Sequence, residues 1–223
     1  MSLVFAPVRI PVDGVHVVAD RLGPTTARGI VVFAHGSGSS RKSVRNRYVA
    51  EVVAGRGLQA LLLDLLTEEE KQEDAQTEAY RYDVRLLAQR VVSAIDHLER
   101  NEPDLPIGLY GSSTGAAAAL VAAAARPHAV GAIVSRGGRP DLAGDALSLV
   151  LAPTLALVGS EDPLVLELNR DALARLGGHS RLEVVPGAGH LFEEPGALEE
   201  VARATADWFL HYLPLWRGAP ARL

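Results

Sequence analysis

The chain contains no cysteine. That absence excludes disulfides, a thiolate nucleophile, iron–sulfur clusters and thiolate zinc sites. It fits a reducing compartment, and a cytoplasmic location is expected. No stretch reaches the roughly 18 apolar residues of a membrane span. The longest apolar run, Ala116 to Ala125, is short and alanine-rich, so no membrane partner is expected. A basic stripe is also missing. The 22 Lys and Arg are outnumbered by 27 Asp and Glu, for a net charge of −5, and nucleic acid is not an expected partner. The opening MSLVFAPVRIPVDG has no basic leader, and Pro7 and Pro11 interrupt its apolar stretch, so a secretory signal is not expected. There is no H-E-x-x-H or other compact metal cluster and no phosphate-cradling G-x-x-x-x-G-K-[ST]. Neither a metal nor a cofactor is expected.

What is present is a globular pattern. Apolar residues make up 48% and charged residues 22%, which rules out a disordered chain. A chain of 223 residues buries roughly 70% of its unfolded surface, enough for a core without staples. Val8–Val12 and Val15–Ala19 flank Asp13-Gly14, a tight-hairpin signal. Continuous apolar strands then follow at Ile30–Ala34, Leu58–Asp64, Pro106–Tyr110, Val130–Ser135, Thr154–Gly159 and Leu182–Pro186. Helical segments separate them at Ser43–Ala54, Tyr80–Arg100, Thr114–Arg126, Leu166–Leu176 and Leu198–Tyr212. Such alternation predicts an α/β fold, a mostly parallel sheet with helices on both faces and an antiparallel hairpin at its edge. No repeat or linker divides it, so residues 1–223 are read as a single domain. Thr67–Thr77 stands apart, with five acidic residues and Lys71 as its only positive charge. It reads as a solvated loop; the sharper reading is a flap beside a crevice at a strand's carboxyl end.

The segment Gly111-Ser112-Ser113-Thr114-Gly115 carries the clearest chemistry. It is a G-x-S-x-G pattern that ends a strand and opens a helix. The glycines permit a sharp turn that lifts the Ser113 hydroxyl above the sheet. The helix N-terminus beneath favours developing negative charge. A serine hydroxyl needs a base. Of seven histidines, His16, His97, His128, His179 and His211 fall in strands, helices or turns and read as structural or surface groups. His190, in the loop PGAGHL after the last strand, can reach the hydroxyl. The acid should lie between them at a strand end. Asp162 in GSEDP fills that place, with Glu161 its neighbour and rival, and Asp141 and Asp145 less well placed. The oxyanion requires two backbone N–H donors. Thr114 follows the nucleophile, and Ser37 in HGSGSS follows the third strand. His35 is read as a brace for that loop.

With these four pieces in order, the sequence resembles the α/β-hydrolase superfamily, most closely its small, lidless dienelactone-hydrolase-like branch. HGSGSS, YGSSTG, GSEDP and GAGH carry the resemblance across about residues 8–212. It implies the α/β-hydrolase fold on eight strands without a cap domain, and ester or lactone hydrolysis without a cofactor. It implies Ser113 as nucleophile, Asp162 as acid, His190 as base, and Ser37 and Thr114 as oxyanion donors. One departure counts. Dienelactone hydrolases use a cysteine nucleophile, which this chain lacks, so Ser113 shifts the expectation to a serine esterase and away from dienelactone itself.

The connection from about Arg136 to Pro153 is too short for a helical cap, and aromatic residues are only 5% of the chain. An open, shallow site for small or short-acyl esters is expected. Arg136 and Arg139 at one strand end, and Arg41, Lys42, Arg45 and Arg47 after the oxyanion loop, are candidates to hold an anionic group of the substrate. The alternative for them is surface, or ion pairs with Glu68–Glu70. Leu215 and Trp216 would cap the core or form a homodimer contact. Two rivals stay open: the same acyl-enzyme serving an acyltransferase or perhydrolase, and a binding protein that kept the fold.

Overall fold

The structure, a computed structural model, describes residues 5–215. The side chain of Leu215 and all of Trp216 lie outside them. Eight strands form one sheet: β1 Ala6–Val12, β2 Val15–Leu22, β3 Ile30–Ala34, β4 Gln59–Leu63, β5 Ile107–Ser112, β6 Val130–Arg136, β7 Thr154–Gly159 and β8 Ser180–Val185. Their order across the sheet is β1-β2-β4-β3-β5-β6-β7-β8. β1 pairs antiparallel with β2, and β2 antiparallel with β4; all other pairings are parallel. β3 to β7 are buried along their length. A strand covered on both faces must be apolar throughout, which explains the unbroken runs IVVFA, ALLL and TLALV.

Six α-helices cover the sheet: α1 Val44–Gly55, α2 Glu68–Thr77, α3 Val84–Asn101, α4 Thr114–Ala125, α5 Pro163–Leu173 and α6 Ala197–Tyr212. One core lies under α3 and α4, built from Val91, Ile95, Leu120 and Ile133 among others. The other lies under α1 and α6, around Phe33, Tyr110, Val49 and Phe209. α4 is almost wholly alanine. Alanine is the best helix former and has the least bulk, so α4 lies tightly between β5 and α3.

One segment differs from the sequence reading. Thr67–Thr77 is not a loop but helix α2. Its start is a capping box: Glu70 N–H donates to Thr67 Oγ1 at 3.2 Å, and Thr67 N–H donates to Glu70 Oε2 at 2.7 Å. Glu68, Glu69 and Glu70 complement the positive end of the helix dipole. The connection after β6 contains a 3-10 helix, Pro140–Leu149, kinked at Gly144, and no cap domain.

Candidate active site

The turn between β5 and α4 is forced by close packing. A Cβ on Gly111 would stand 2.6 Å from the Ala116 nitrogen, and one on Gly115 would stand 2.8 Å from the Ala34 carbonyl carbon. Only glycine fits at either place. Ser113 between them takes φ 51° and ψ −122°, a conformation L-residues rarely adopt, held by its surroundings. Its N–H donates to the Arg136 carbonyl at 3.2 Å, and its own carbonyl accepts the Arg139 N–H at 3.1 Å. The elbow is thus pinned to the end of β6.

The loops after β7 and β8 are stitched to each other. Ser160 N–H donates to the Val185 carbonyl at 3.0 Å, Glu161 N–H to the Ala188 carbonyl at 3.0 Å, and Gly187 N–H to Ser160 Oγ at 2.8 Å. Gly189 N–H donates to Glu194 Oε1 at 3.0 Å. These bonds bring His190 to Asp162, with Nδ1 2.6 Å from Oδ2. Glu161 turns away and accepts from the Ser160 hydroxyl. Asp141 is held by both arms of Arg139, and Asp145 lies 3.6 Å from Arg175. His190 packs against Gly137: a Cβ there would meet His190 Cε1 at 3.5 Å, and Gly137 follows the residue that binds the Ser113 amide.

On the other side stands the loop after β3. A Cβ on Gly36 would lie 3.1 Å from Ser113 Cβ, so the backbone at Gly36 passes beside Ser113. Thr114, the first residue of α4, has an N–H without an intrahelical acceptor. His35 is buried and bridges two strands' loops: Leu65 N–H donates to Nε2 at 3.1 Å, and Nδ1 meets the Gly36 carbonyl at 2.8 Å. That pair of partners requires the neutral ring with its proton on Nδ1. Burial holds its pKa below 6.5.

The basic residues of this loop are occupied. Arg41 pairs with Asp64 and with Asp20, the latter at 3.2 Å, and its N–H donates to Asp64 Oδ1 at 2.9 Å. Lys42 and Arg47 share Asp20 at 2.8 and 2.7 Å, and Lys71 binds Asp64 at 2.7 Å. Arg45 pairs with Glu193. Burial alone would raise the pKa of Asp20 and Asp64; the cations outweigh it and hold both carboxyls below 3.8. Arg41 therefore works as a tie within the fold, not as an open anion clamp. Arg136 is buried too, 7% exposed, behind the His190 loop.

A cleft of about 540 Å³ opens beside the loop after β3. Its lining includes Ser37, Ser39, Ser43, Leu65, Leu87 and Arg81. Asp74 of α2 also lines it and accepts from Tyr80 N–H, Arg81 N–H and Arg81 Nε–H. The sequence reading of an open, shallow site has α2 as a loop, its sharper reading a flap beside a crevice, because it has no apolar periodicity to show a helix. The T-x-x-E at Thr67–Glu70 was the signal that marks its start. Asn169 was also missed. It sits fully buried on α5 and donates to the Gly138 carbonyl at 3.0 Å. Among the described residues no group of three or more His, Asp or Glu is arranged to hold a metal ion, and no helix is long and apolar enough to cross a membrane.

Comparison with known proteins adds the lineage. The chain is 52% identical to a dienelactone hydrolase of known structure from Anabaena variabilis, over 96% of this chain and 100% of that one, with a TM-score of 0.93. Est1E from Butyrivibrio proteoclasticus shares the fold at 15% identity and a TM-score of 0.77, over 92% and 98% of the two chains. Two Mycobacterium tuberculosis proteins, provisionally named phosphoribosyl transferases, are 57% identical over 193 residues. That match covers 85% of this chain but 42% of theirs, so the name belongs to proteins more than twice the matched length. The sequence profile of the Dienelactone hydrolase family matches residues 13–216, and with the eight-stranded sheet and elbow described above, the chain belongs to that family and has the α/β-hydrolase fold.

Proposed function

We propose that the protein is a serine esterase that cleaves small or short-acyl carboxylic esters or lactones through an acyl-enzyme. The observation that carries this reading is the 2.6 Å contact of His190 Nδ1 with Asp162 Oδ2, next to a strained Ser113 at the head of α4. Ser113 Oγ attacks the ester carbonyl as His190 Nε2 takes its proton. Asp162 holds the ring in the tautomer that leaves Nε2 free and stabilises the cation that forms. The Thr114 and Ser37 N–H groups hold the oxyanion; one such donor typically contributes on the order of 3 kcal/mol. His190 returns the proton to the departing alcohol. Water, deprotonated by His190, then attacks the acyl-enzyme, and Ser113 recovers its proton as the acid leaves.

The cleft beside Ser37 would take the small substrate, although its lining does not include Ser113, Asp162 or His190. At about 540 Å³ it falls within the range of small-molecule sites, and Leu65, Leu66 and Leu87 in its lining suit a short acyl or alcohol group. A fluorophosphonate probe should label the wild type and not Ser113→Ala. A panel of p-nitrophenyl esters should favour short chains. A preference for acyl chains of about ten carbons or more would overturn the size argument, and labelling that persists in Ser113→Ala would overturn the nucleophile. Acyl transfer to peroxide or an alcohol uses the same intermediate, and product analysis with competing nucleophiles identifies the acceptor.

A further inference from the structure

Among the described residues, Arg136 is a charge that nothing yet explains. It ends β6 opposite Ser112 and is 7% exposed. Its Nε and Nη1 are buried with no hydrogen-bond partner. A guanidinium stays charged, and burying it without a carboxylate is costly. Two neighbours face it. Tyr110, on the same face of β5 as Ser112, is fully buried and its hydroxyl is also without a partner. Phe192 places its ring centroid 5.8 Å from the Arg136 guanidinium carbon, within reach of a cation–π interaction.

Phe192 is itself under strain. It is 1% exposed and takes φ 55°, the left-handed region a bulky residue rarely enters. Its N–H donates to the Gly189 carbonyl at 3.3 Å and closes the turn Gly189–Phe192, which holds His190. The same turn rests on Gly137, whose φ is +49°. A Cβ there would meet the His190 carbonyl at 3.2 Å and Phe192 Cε2 at 3.4 Å. Arg136 therefore touches both halves of the site. Its carbonyl receives the Ser113 N–H, and its side chain lies by the ring that ends the His190 turn.

We infer that Arg136 and Phe192 form a buried brace that sets the distance between His190 and Ser113. They are positioning residues: Phe192 holds its strained backbone because its ring is caught by Arg136, and the turn so held aims the imidazole at the hydroxyl. The inference rests on the serine-esterase reading, and it replaces a substrate-binding role for Arg136 with one that acts through His190.

The test compares Arg136→Lys, Arg136→Met, Phe192→Leu and Phe192→Tyr with the wild type. Substrates are p-nitrophenyl acetate and a p-nitrophenyl ester carrying a free carboxylate. A brace predicts that Arg136→Met and Phe192→Leu lower kcat about 10- to 100-fold for both esters, with KM within about twofold, because misplacement by about 1 Å costs that much. Phe192→Tyr keeps the ring and should retain most of kcat. The double variant Arg136→Met/Phe192→Leu should be no slower than the slower single one. A KM that rises only for the charged ester, with kcat intact, would overturn the brace in favour of a substrate contact. Full kcat in folded Phe192→Leu would overturn it outright.

A second readout is independent of turnover. The His190 Nδ1 proton shared with Asp162 should give a downfield proton resonance, shifted or broadened in Arg136→Met and kept in Phe192→Tyr. If Arg136→Met does not fold, Arg136→Lys and Phe192→Leu decide the matter by the same measurements. Absence of Ser113-dependent labelling in the wild type would instead sink the esterase reading, while the resonance still reports on the brace.

Discussion

The two sides of the candidate site are held in place by different forces. The His190 side is fixed mainly by neutral hydrogen bonds, Ser160 to Val185, Glu161 to Ala188, Gly187 to Ser160 and Asn169 to Gly138, with the Glu194 carboxylate accepting the Gly189 N–H. The side built on the loop after β3 is fixed by ions. Asp20 and Asp64, both nearly inaccessible, gather Arg41, Lys42, Arg47 and Lys71 and so anchor the loop that begins at His35. Neutral backbone bonds are indifferent to pH and little affected by salt. A network of two carboxylates and four cations is sensitive to pH, and the removal of one carboxylate leaves several charges uncompensated. One half of the site should therefore respond to pH and charge substitution while the other stays in place.

The largest effect is expected at Asp64. Asp64→Asn leaves Arg41 and Lys71 beside a neutral, buried amide, and breaking such a pair from one side costs about 3–5 kcal/mol. Urea unfolding should show that loss. A fall below about 1 kcal/mol would mean that Arg41 and Lys71 find solvent and that the network is not what fixes the loop.

Acid should act on the same side, through His35 first and then the carboxylates of Asp20 and Asp64, all with lowered pKa values. The folded-state pKa of His35 lies below 6.5, so the unfolded chain binds the proton first. Stability is complete above pH 6.5 and declines as pH falls through it, by up to about 1.4 kcal/mol per pH unit. Protonation also removes the Nε2 acceptor of Leu65 N–H; the charges facing the ring are Asp64, which favours the cation, and Lys71, which opposes it. Asp20 and Asp64 add a second loss only below their ordinary 3.8, as pH falls through their lowered folded values. Unfolding curves at pH 7.5, 6 and 5 should show the first decline in the wild type and a flatter profile in His35→Asn. Equal slopes would remove His35 from the account.

This division also explains what was legible in the sequence. Strands buried on both faces write themselves as apolar runs, so β3 and β7 were read to the residue. The elbow was legible because its geometry admits only glycine at 111 and 115. Helix α2 was not, because nearly all of it faces water and a polar helix carries no periodicity; only Asp74 is buried. The choice of Asp162 over Glu161 depends on which carboxylate the stitched loops turn toward His190, which no spacing encodes. The basic residues after β3 read as candidates for a substrate because their partners, Asp20 and Asp64, lie 21 and 23 residues from Arg41 and meet it only through the sheet. Arg136 was legible as a cation at a strand end, but its burial depends on Phe192, 56 residues away by number, and on a φ that no sequence displays.

A smaller effect is expected from Asn169 on the neutral side. Its Nδ2 serves the Gly138 and Val165 carbonyls, while its Oδ1 is buried without a donor. Asn169→Leu keeps much of the volume and removes both a useful donor and an unsatisfied acceptor. The two changes oppose each other, so the net loss should be about 1 kcal/mol, the worth of one ordinary hydrogen bond. Because Gly138 follows Gly137 in the turn against His190, kcat should fall several-fold where stability barely changes. A loss of stability of about 3 kcal/mol would point to packing around α5 in place of the hydrogen bond.

The smallest effect should come from an ion pair that crosses between the two sides. Arg45, from the first turn of α1, meets Glu193 in the His190 loop at 2.9 Å. Both side chains are largely solvated, 35% and 65% exposed. An exposed pair contributes about 0–1 kcal/mol and is screened by salt. If the two sides are held independently, Arg45→Ala should change stability by less than about 0.5 kcal/mol and leave kcat unchanged at any ionic strength. A salt-dependent fall in kcat would show that the halves are coupled across the mouth of the site, and the contrast between a neutral and an ionic half would no longer hold.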